Sequence, residues 1–295
     1  MKPIIDLHFH SIHSDGKLKV PEVVRNLKKC GIKVAALTDH DSTDGVREFR
    51  LLASKSGIVA ISGVEISTLY ENIGLHILGY GIDINHPGLK ELFRRQSVER
   101  RRSFIETVKH FHRAGFYVDQ RKFHYLRQLK TVTKPHIVAL ICDAQQNRHF
   151  LAQKFKFKVD PNSMGRFIDR FMSEPGQIGY FMKSKVYGQT AISLIHRAGG
   201  IAVWAHPGAE KEIGSQRNLL RVLGGLKHAG LDGLECFSNA HSPQQRKLFY
   251  NLSRRYKLIA TIGSDDHDGK RRGKLHVAKP LQGELIYNLA KLLKA

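Results

Sequence analysis

The sequence predicts an α/β fold: one parallel, barrel-like β-sheet domain interrupted by a basic helical insert. Three observations predict it. Short β-rich runs alternate with amphipathic helical stretches at both ends of the chain. The middle, residues 87–186, loses that alternation and reads as mostly helical. Histidines and carboxylates recur at the ends of the predicted strands, where parallel α/β sheets gather their active sites.

In order, the N-terminal flank predicts a strand over 4–10, a helix over 21–30, a strand over 34–40, a helix over 43–56, and strands over 58–67 and 76–82. The C-terminal flank predicts helices over 189–198, 216–229, 243–256 and 283–293. Strands over 200–206, 231–237 and 258–264 lie between them. An Arg-rich helix over 89–113 opens the middle. The expected organisation is therefore a barrel formed by 1–86 and 187–295, with 87–186 as a helical insert that caps the substrate.

Composition bounds the function. At 295 residues the chain is long enough to bury a core without disulfides or structural metal. Hydrophobic content of 41% with 25% charged residues excludes intrinsic disorder. The three cysteines, Cys30, Cys142 and Cys236, show no CxxC spacing, as expected for a reducing compartment. The opening MKPIIDLHFH lacks the apolar stretch of a secretory signal, and no run of 18 apolar residues occurs. A cytoplasmic protein with no membrane contact is expected. The net charge of +22 points to a polyanionic partner. Its distribution is uneven, since residues 90–158 carry 17 Lys and Arg against 5 Asp and Glu.

Strand periodicity puts Asp6, His8 and His10 on one face. One HxH pair means little alone, because a half-buried histidine is common. Yet Thr38-Asp39-His40-Asp41, Gly63-Val64-Glu65, Leu75-His76-Ile77, Ala205-His206-Pro207 and Ser264-Asp265-Asp266-His267 also fall at strand ends. Six strands delivering His, Asp or Glu to one end are hard to explain structurally, because buried unpaired charge is costly. A metal cluster explains them. By contrast, His110 and His112 lie on a predicted helix, where i and i+2 face apart, and are discounted as ligands.

The motifs DLHFHS (6–11), HSDG (13–16), TDHDS (38–42), GVEIS (63–67), LHILGY (75–80), AHP (205–207) and GSDDH (263–267) resemble those of the PHP (polymerase and histidinol phosphatase) metal-dependent phosphoesterases. Lys134-Pro135-His136-Ile137 is similar to that family's RPHIA segment. The resemblance narrows to the free-standing bacterial branch similar to nucleoside 3′,5′-bisphosphate phosphatases and RNase AM-type 5′→3′ exoribonucleases. It implies a distorted (β/α)7 barrel and three divalent ions, most often Mn²⁺ in the family, with Zn²⁺ or Fe²⁺ compatible with the donors. It assigns His8, His10, Glu65 and Asp265 to a first ion and Glu65, His76 and His206 to a second. Asp15, His40 and His267 fall to a third. The implied nucleophile is a hydroxide bridging the first two ions, held by Glu65 with Asp265 and His206. Asp6, Ser14, Asp39 and Asp41 are expected to orient the ligands.

Substrate selection is expected from the insert. Lys134 stands where the family has Arg, a point charge in place of a bidentate fork. His136 is a candidate phosphate ligand or leaving-group acid, with a plain helix-start histidine as the alternative. Arg101 is a candidate clamp for a terminal 5′-phosphate, with a solvated helix face as the alternative. Phe104, Phe111, Phe116, Phe123 and Tyr125 read as helix core rather than base-stacking platforms. The expected substrate is a nucleotide or short RNA with a 5′-phosphate, cut at its 3′-phosphoester. No stable protein partner is expected. A histidinol-phosphate type phosphatase and a non-catalytic nucleic-acid-binding module are the alternatives.

Overall fold

The computed structural model describes residues 4–181, 186–210, 213–270, 281 and 283–285. Two compact units divide the chain, one formed by 1–93 with 185–295 and the other by 94–184.

The first unit is built on an eight-stranded sheet: β1 (Ile5–Asp6), β2 (Val34–Leu37), β3 (Val59–Tyr70), β4 (Ile73–Tyr80), β5 (Val186–Tyr187), β6 (Ile201–Trp204), β7 (Gly233–Ser238) and β8 (Ile259–Gly263). Seven strands run in the order β1-β2-β3-β4-β6-β7-β8, and β5 pairs alongside β3. The two ends of that path meet. The Leu7 amide donates to the Ile262 carbonyl at 3.0 Å, and Phe9 bridges Asp266 in parallel register. The sheet is thus nearly closed, and the fold is α/β.

The sheet is not wholly parallel, as the sequence had suggested. β4 pairs antiparallel with both β3 and β6. The reason is local: only Glu71 and Asn72 separate β3 from β4, and Glu71 adopts a left-handed conformation (φ 53°). A two-residue turn can join only antiparallel strands, whereas parallel pairing needs a crossover. β1 is also shorter than the predicted 4–10. Beyond Asp6 the chain remains extended, but its amides bond individual carbonyls near the end of β8.

Helices α1 (Val20–Cys30), α2 (Val46–Lys55), α8 (Gly188–Arg197), α9 (Gln216–His228) and α10 (Pro243–Arg255) belong to this unit. They begin and end where their capping residues dictate. Gly31 closes α1 in the left-handed region (φ 77°), and a Ser242–Gln245 capping box opens α10. Leu27 of α1 and Phe49 of α2 pack in one core cluster. Ile192 and Ile195 of α8, Val222 of α9 and Phe249 of α10 join Ile77 and Trp204 in the larger one. Of the helix expected over 283–293, Gly283–Leu285 are helical and the remainder lies outside the described residues.

Helix α3 (Pro87–Arg113) begins in the first unit and continues into the second, which also holds α4 (Gln120–Leu126), α5 (Lys134–Cys142), α6 (Gln145–Phe155) and α7 (Ser163–Phe171). Its core is phenylalanine-rich: Phe104, Phe111, Phe116, Phe167 and Phe171 are all buried. Phe104 and Phe123 stack at 5.4 Å, while Tyr125 is exposed. Asn147 stitches this unit internally. Its side chain accepts from the Tyr117 amide at 2.8 Å and donates to the carbonyls of Tyr117 and Ile141. No described helix is long and apolar enough to cross a membrane.

Candidate metal centre

Strand ends and the loops after them place most of the site, whereas Glu65 and His76, expected at strand ends, lie inside β3 and β4. Asp6 closes β1 and ties it to the end of β8, its Oδ1 accepting from the Ser264 amide at 2.8 Å. His8 and His10 follow on the extended segment. Asp39, one residue before His40, accepts from the Ser11 amide (2.8 Å) and from the hydroxyls of Ser11 and Ser14 (both 2.6 Å). It ties the loop carrying Asp15 to the end of β2. Asp41 accepts from the Ser67 amide at 2.9 Å and fixes the loop after β2 against β3. Asp41, His206 and Asp265 have positive φ values of 49°, 23° and 49°. Such left-handed residues cost on the order of 1–3 kcal/mol each, and they concentrate where a turn must aim side chains at a site.

Glu65 of β3 is the hub. Its Oε2 faces His8 Nε2 (3.2 Å), His10 Nε2 (3.2 Å) and His40 Nδ1 (3.1 Å). Its Oε1 faces His206 Nε2 (3.0 Å) and His76 Nδ1 (3.4 Å). Asp265 Oδ1 lies 3.3 Å from His10 Nε2 and 3.6 Å from His8 Nε2. Asp15 lies 3.2 Å from His267 Nε2 and 3.8 Å from His40 Nε2. All nine residues singled out in the sequence therefore stand in one cluster within the first unit. His40 turns its two nitrogens to different neighbours, Glu65 and Asp15, instead of facing Asp15 alone. Glu65 is fully buried, whereas the His76 and His267 side chains are 31% and 33% exposed, which marks the side open to solvent.

The imidazoles are crowded, with His10 and His267 rings stacked at 4.1 Å and His10 and His40 at 4.7 Å. Burial opposes charge on His10, but its hydrogen bonds to Asp265 and Glu65 outweigh it and raise the ring to about 10. His206 rises likewise, against burial, to about 9 through Glu65. Burial would raise Glu65, yet the charges of His40, His8 and His76 hold it well below the ordinary carboxylate range. The pocket thus demands positive charge. Protons on several stacked imidazoles are one way to supply it; divalent cations on neutral imidazoles are the better way, because they remove the ring–ring repulsion.

The donor set fits such ions. His8 Nε2 and Glu65 Oε2, both buried and 3.2 Å apart, make no hydrogen bond of normal geometry. Groups of three or four donors lie within 4.8 Å of one another: His10, Asp15, His40 and His267; His8, His10 and Asp265; His8, Glu65 and His206; His40, Glu65 and His76. Mixed imidazole and carboxylate donors suit borderline divalent metals.

Two further buried residues support the cluster. Glu235 of β7 is fully buried, with Oε1 3.1 Å from His8 Nδ1 and Oε2 accepting from the His206 amide at 2.8 Å. It lies inside a strand, where the sequence shows only a carboxylate in an apolar run. His241 is buried. Its Nδ1 lies 3.1 Å from the Cys236 carbonyl, and its Nε2 accepts from the Gly208 amide at 3.2 Å. It braces the turn after His206.

The expected substrate residues lie in the second unit. Lys134 opens α5. His136 sits in its first turn, where its Nδ1 accepts from the Thr133 amide at 3.1 Å as part of a capping box. Arg101 is exposed on α3.

A nearly closed α/β barrel with a buried cluster of His, Asp and Glu defines a candidate metal-binding site. The chain belongs to the PHP-domain family, which matches over residues 6–158. It is 31% identical over 264 residues to a 5′-3′ exoribonuclease from Haemophilus influenzae, covering 89% of each chain. It is also 31% identical over 268 residues to a 3′,5′-nucleoside bisphosphate phosphatase from Chromobacterium violaceum, covering 89% of this chain and 87% of that one. Among solved structures, an amidohydrolase from Chromobacterium violaceum with bound sulfate is similar, with a TM-score of 0.80 and 28% identity, covering 97% of this chain and 96% of that one. The protein is accordingly an enzyme, a hydrolase of phosphoric esters.

Proposed function

We propose that this hydrolase cleaves the 3′-phosphoester of nucleotides carrying a 5′-phosphate, taking 3′,5′-bisphosphates, short RNA from its 5′ end, or both. The observation that carries the reading is the division of the Glu65 carboxylate, one oxygen toward His8, His10 and His40 and the other toward His76 and His206. A bridging carboxylate between two ion sites has this arrangement. His8, His10, Glu65 and Asp265 would hold one ion; Glu65, His76 and His206 a second; Asp15, His40 and His267 a third. Mn²⁺ is the ion we propose. Such ions acidify water to near neutrality and neutralise phosphoryl oxygens.

The chain's own residues prepare the site for this. Glu235 takes the proton of His8 Nδ1 in hydrogen bonding, which leaves the Nε2 lone pair directed at the cluster. The Asp265 carbonyl, 3.1 Å from His267 Nδ1, does the same for His267 and directs its Nε2 toward Asp15. Asp6, Asp39 and Asp41 bind backbone amides and hydroxyls, so the loops carrying the ligands are held before substrate arrives. A covalent Ser or Cys nucleophile is not needed.

The substrate assignment is supported by the names of the two relatives and by the charge of residues 90–158. Both substrate types share a nucleoside with a 5′-phosphate and a 3′-phosphoester, so one site serves both. Lys134, His136 and Arg101 are proposed to hold the phosphates, His136 through Nε2 because Nδ1 is engaged by Thr133. Rates of the Mn²⁺-loaded enzyme on 3′,5′-adenosine bisphosphate, a 5′-phosphorylated short RNA, its 5′-hydroxyl twin and histidinol phosphate test the reading. The first two should far exceed the others. Equal rates with and without the 5′-phosphate would defeat it.

A further inference from the structure

Glu210 stands beside the cluster and outside the set of nine. It follows the short 3₁₀ turn Pro207–Ala209, which begins at His206 in its left-handed conformation. The turn is braced on several sides. The Ala209 amide donates to the His206 carbonyl (2.8 Å), the Gly208 amide to His241 Nε2 (3.2 Å) and Gln245 Nε2 to the Gly208 carbonyl (3.5 Å). A Cβ on Gly208 would lie 2.8 Å from His241 and 2.9 Å from Gln245, so the turn is packed as well as bonded. Its geometry returns Glu210 over His206, four residues earlier.

Glu210 Oε1 lies 3.6 Å from His206 Nδ1 and 4.0 Å from His76 Nδ1, with its side chain only 14% exposed. His76, His206 and Glu210 offer three donors within 4.8 Å of one another. The shared atom is His76 Nδ1, which faces Glu65 Oε1 at 3.4 Å on its other side. Donors around one divalent ion with bonds of about 2.1 Å stand roughly 3–4 Å apart, the spacing found here. A second observation points the same way. His206 Nδ1 is buried, has no hydrogen-bond partner and is directed toward Glu210.

We infer that Glu210 is a tenth metal donor, a carboxylate ligand to the second ion beside Glu65 and His76 Nδ1, with His206 entering through Nδ1, the nitrogen it turns away from Glu65. The inference rests on the metal-centre reading above and adds to it. Its chemical consequence is a second site with two carboxylates and two imidazoles. Oxygen donors favour harder ions, so Glu210 shifts this site toward Mn²⁺ relative to Zn²⁺.

The test is a metal titration of stripped wild type, Glu210→Gln and Glu210→Asp, with folding checked by circular dichroism. Mn²⁺ and Zn²⁺ affinities are measured by calorimetry, and Co²⁺ uptake by its visible absorption, which reports the donor set. The expected result is that Glu210→Gln weakens one Mn²⁺ step at least tenfold and Zn²⁺ less. It should also change the Co²⁺ spectrum at that step, while Glu210→Asp, which keeps a carboxylate, lies between. Superposable titrations and spectra for wild type and Glu210→Gln would overturn the inference. So would a weaker Mn²⁺ step with an unchanged Co²⁺ spectrum, since Glu210 would then act only through His206. Failure of the wild type itself to take up ions is a different result, and it overturns the metal centre together with this addition to it.

Discussion

Glu235 Oε1 stands 3.1 Å from His8 Nδ1, and both side chains are fully buried. A buried carboxylate on the far nitrogen of a ligand histidine fixes its tautomer and strengthens the near nitrogen as a donor. Glu235 also accepts from the His206 amide, so it acts on two ligands from different strands. Glu235→Gln preserves shape and one acceptor but removes the charge. Calorimetric Mn²⁺ titration should show a loss of about 10–100-fold in affinity with the fold intact. An unchanged affinity would mean that the pair is merely structural.

Gly263 makes that pair possible. A Cβ at this position would lie 2.2 Å from His8 Cβ and 2.5 Å from Glu235 Oε1. Neither neighbour can retreat, because His8 is pressed against the cluster and Glu235 is anchored by the His206 amide. Gly263→Ala should destabilise the protein by about 1–3 kcal/mol, as overpacking does, and weaken metal binding with it. Denaturant unfolding of the metal-free protein measures the first effect separately from the second.

Metal loading should release protons. Carboxylate partners raise His10 to about 10 and His206 to about 9 against the opposing effect of burial, so both rings are protonated near neutrality before ions bind. Ion affinity should therefore rise with pH, and calorimetry in buffers of different ionisation enthalpy should count the protons released.

The stability of the metal-free protein follows the same shifts with a definite sign. A raised histidine contributes stability that is complete below its unfolded value of about 6.5 and is lost as pH rises through its folded value. Thermal stability should fall between pH 7 and 10 in the stripped protein and much less in the loaded one. On the acid side, the lowered Glu65, Asp15 and Asp265 contribute stability present above about pH 4 and lost below it. A stripped protein whose melting temperature rose from pH 7 to 10 would contradict the cluster's electrostatics.

Phosphate anchoring is tested in the second unit. Lys134→Ala should raise KM for a 5′-phosphorylated RNA by about tenfold, the scale of one charge-assisted contact of about 1.5 kcal/mol. It should also narrow the rate gap between the 5′-phosphate and 5′-hydroxyl substrates. Steady-state kinetics on both substrates decides it.

Much of the site was legible because strands present alternate residues to one face and end at one side of the barrel. That made His8, His10, His40, His206 and Asp265 visible as strand-end donors, while Glu65, inside β3, was read from its family motif. Glu235 was hidden for the converse reason: it lies inside a strand, and only the packing of β7 against the His8 segment reveals what it touches. Glu210 follows a turn whose course depends on the left-handed His206 and on His241 from a later segment, neither of which has a sequence period. The mixed sheet was within reach, since two predicted strands followed each other with no helix between, but alternation elsewhere argued for parallel pairing. In the second unit, the aromatic residues needed no ligand to explain them, because Phe104, Phe111 and Phe116 form its core.

In the proposed function, a metal cluster organised by Glu65 performs phosphoester hydrolysis on 5′-phosphorylated nucleotides. The most direct test measures phosphate release from 3′,5′-adenosine bisphosphate by the chelator-stripped enzyme before and after reloading with Mn²⁺. The expected result is no turnover when stripped and full turnover on reloading. Undiminished release by the stripped enzyme, or none by the loaded one, would contradict it.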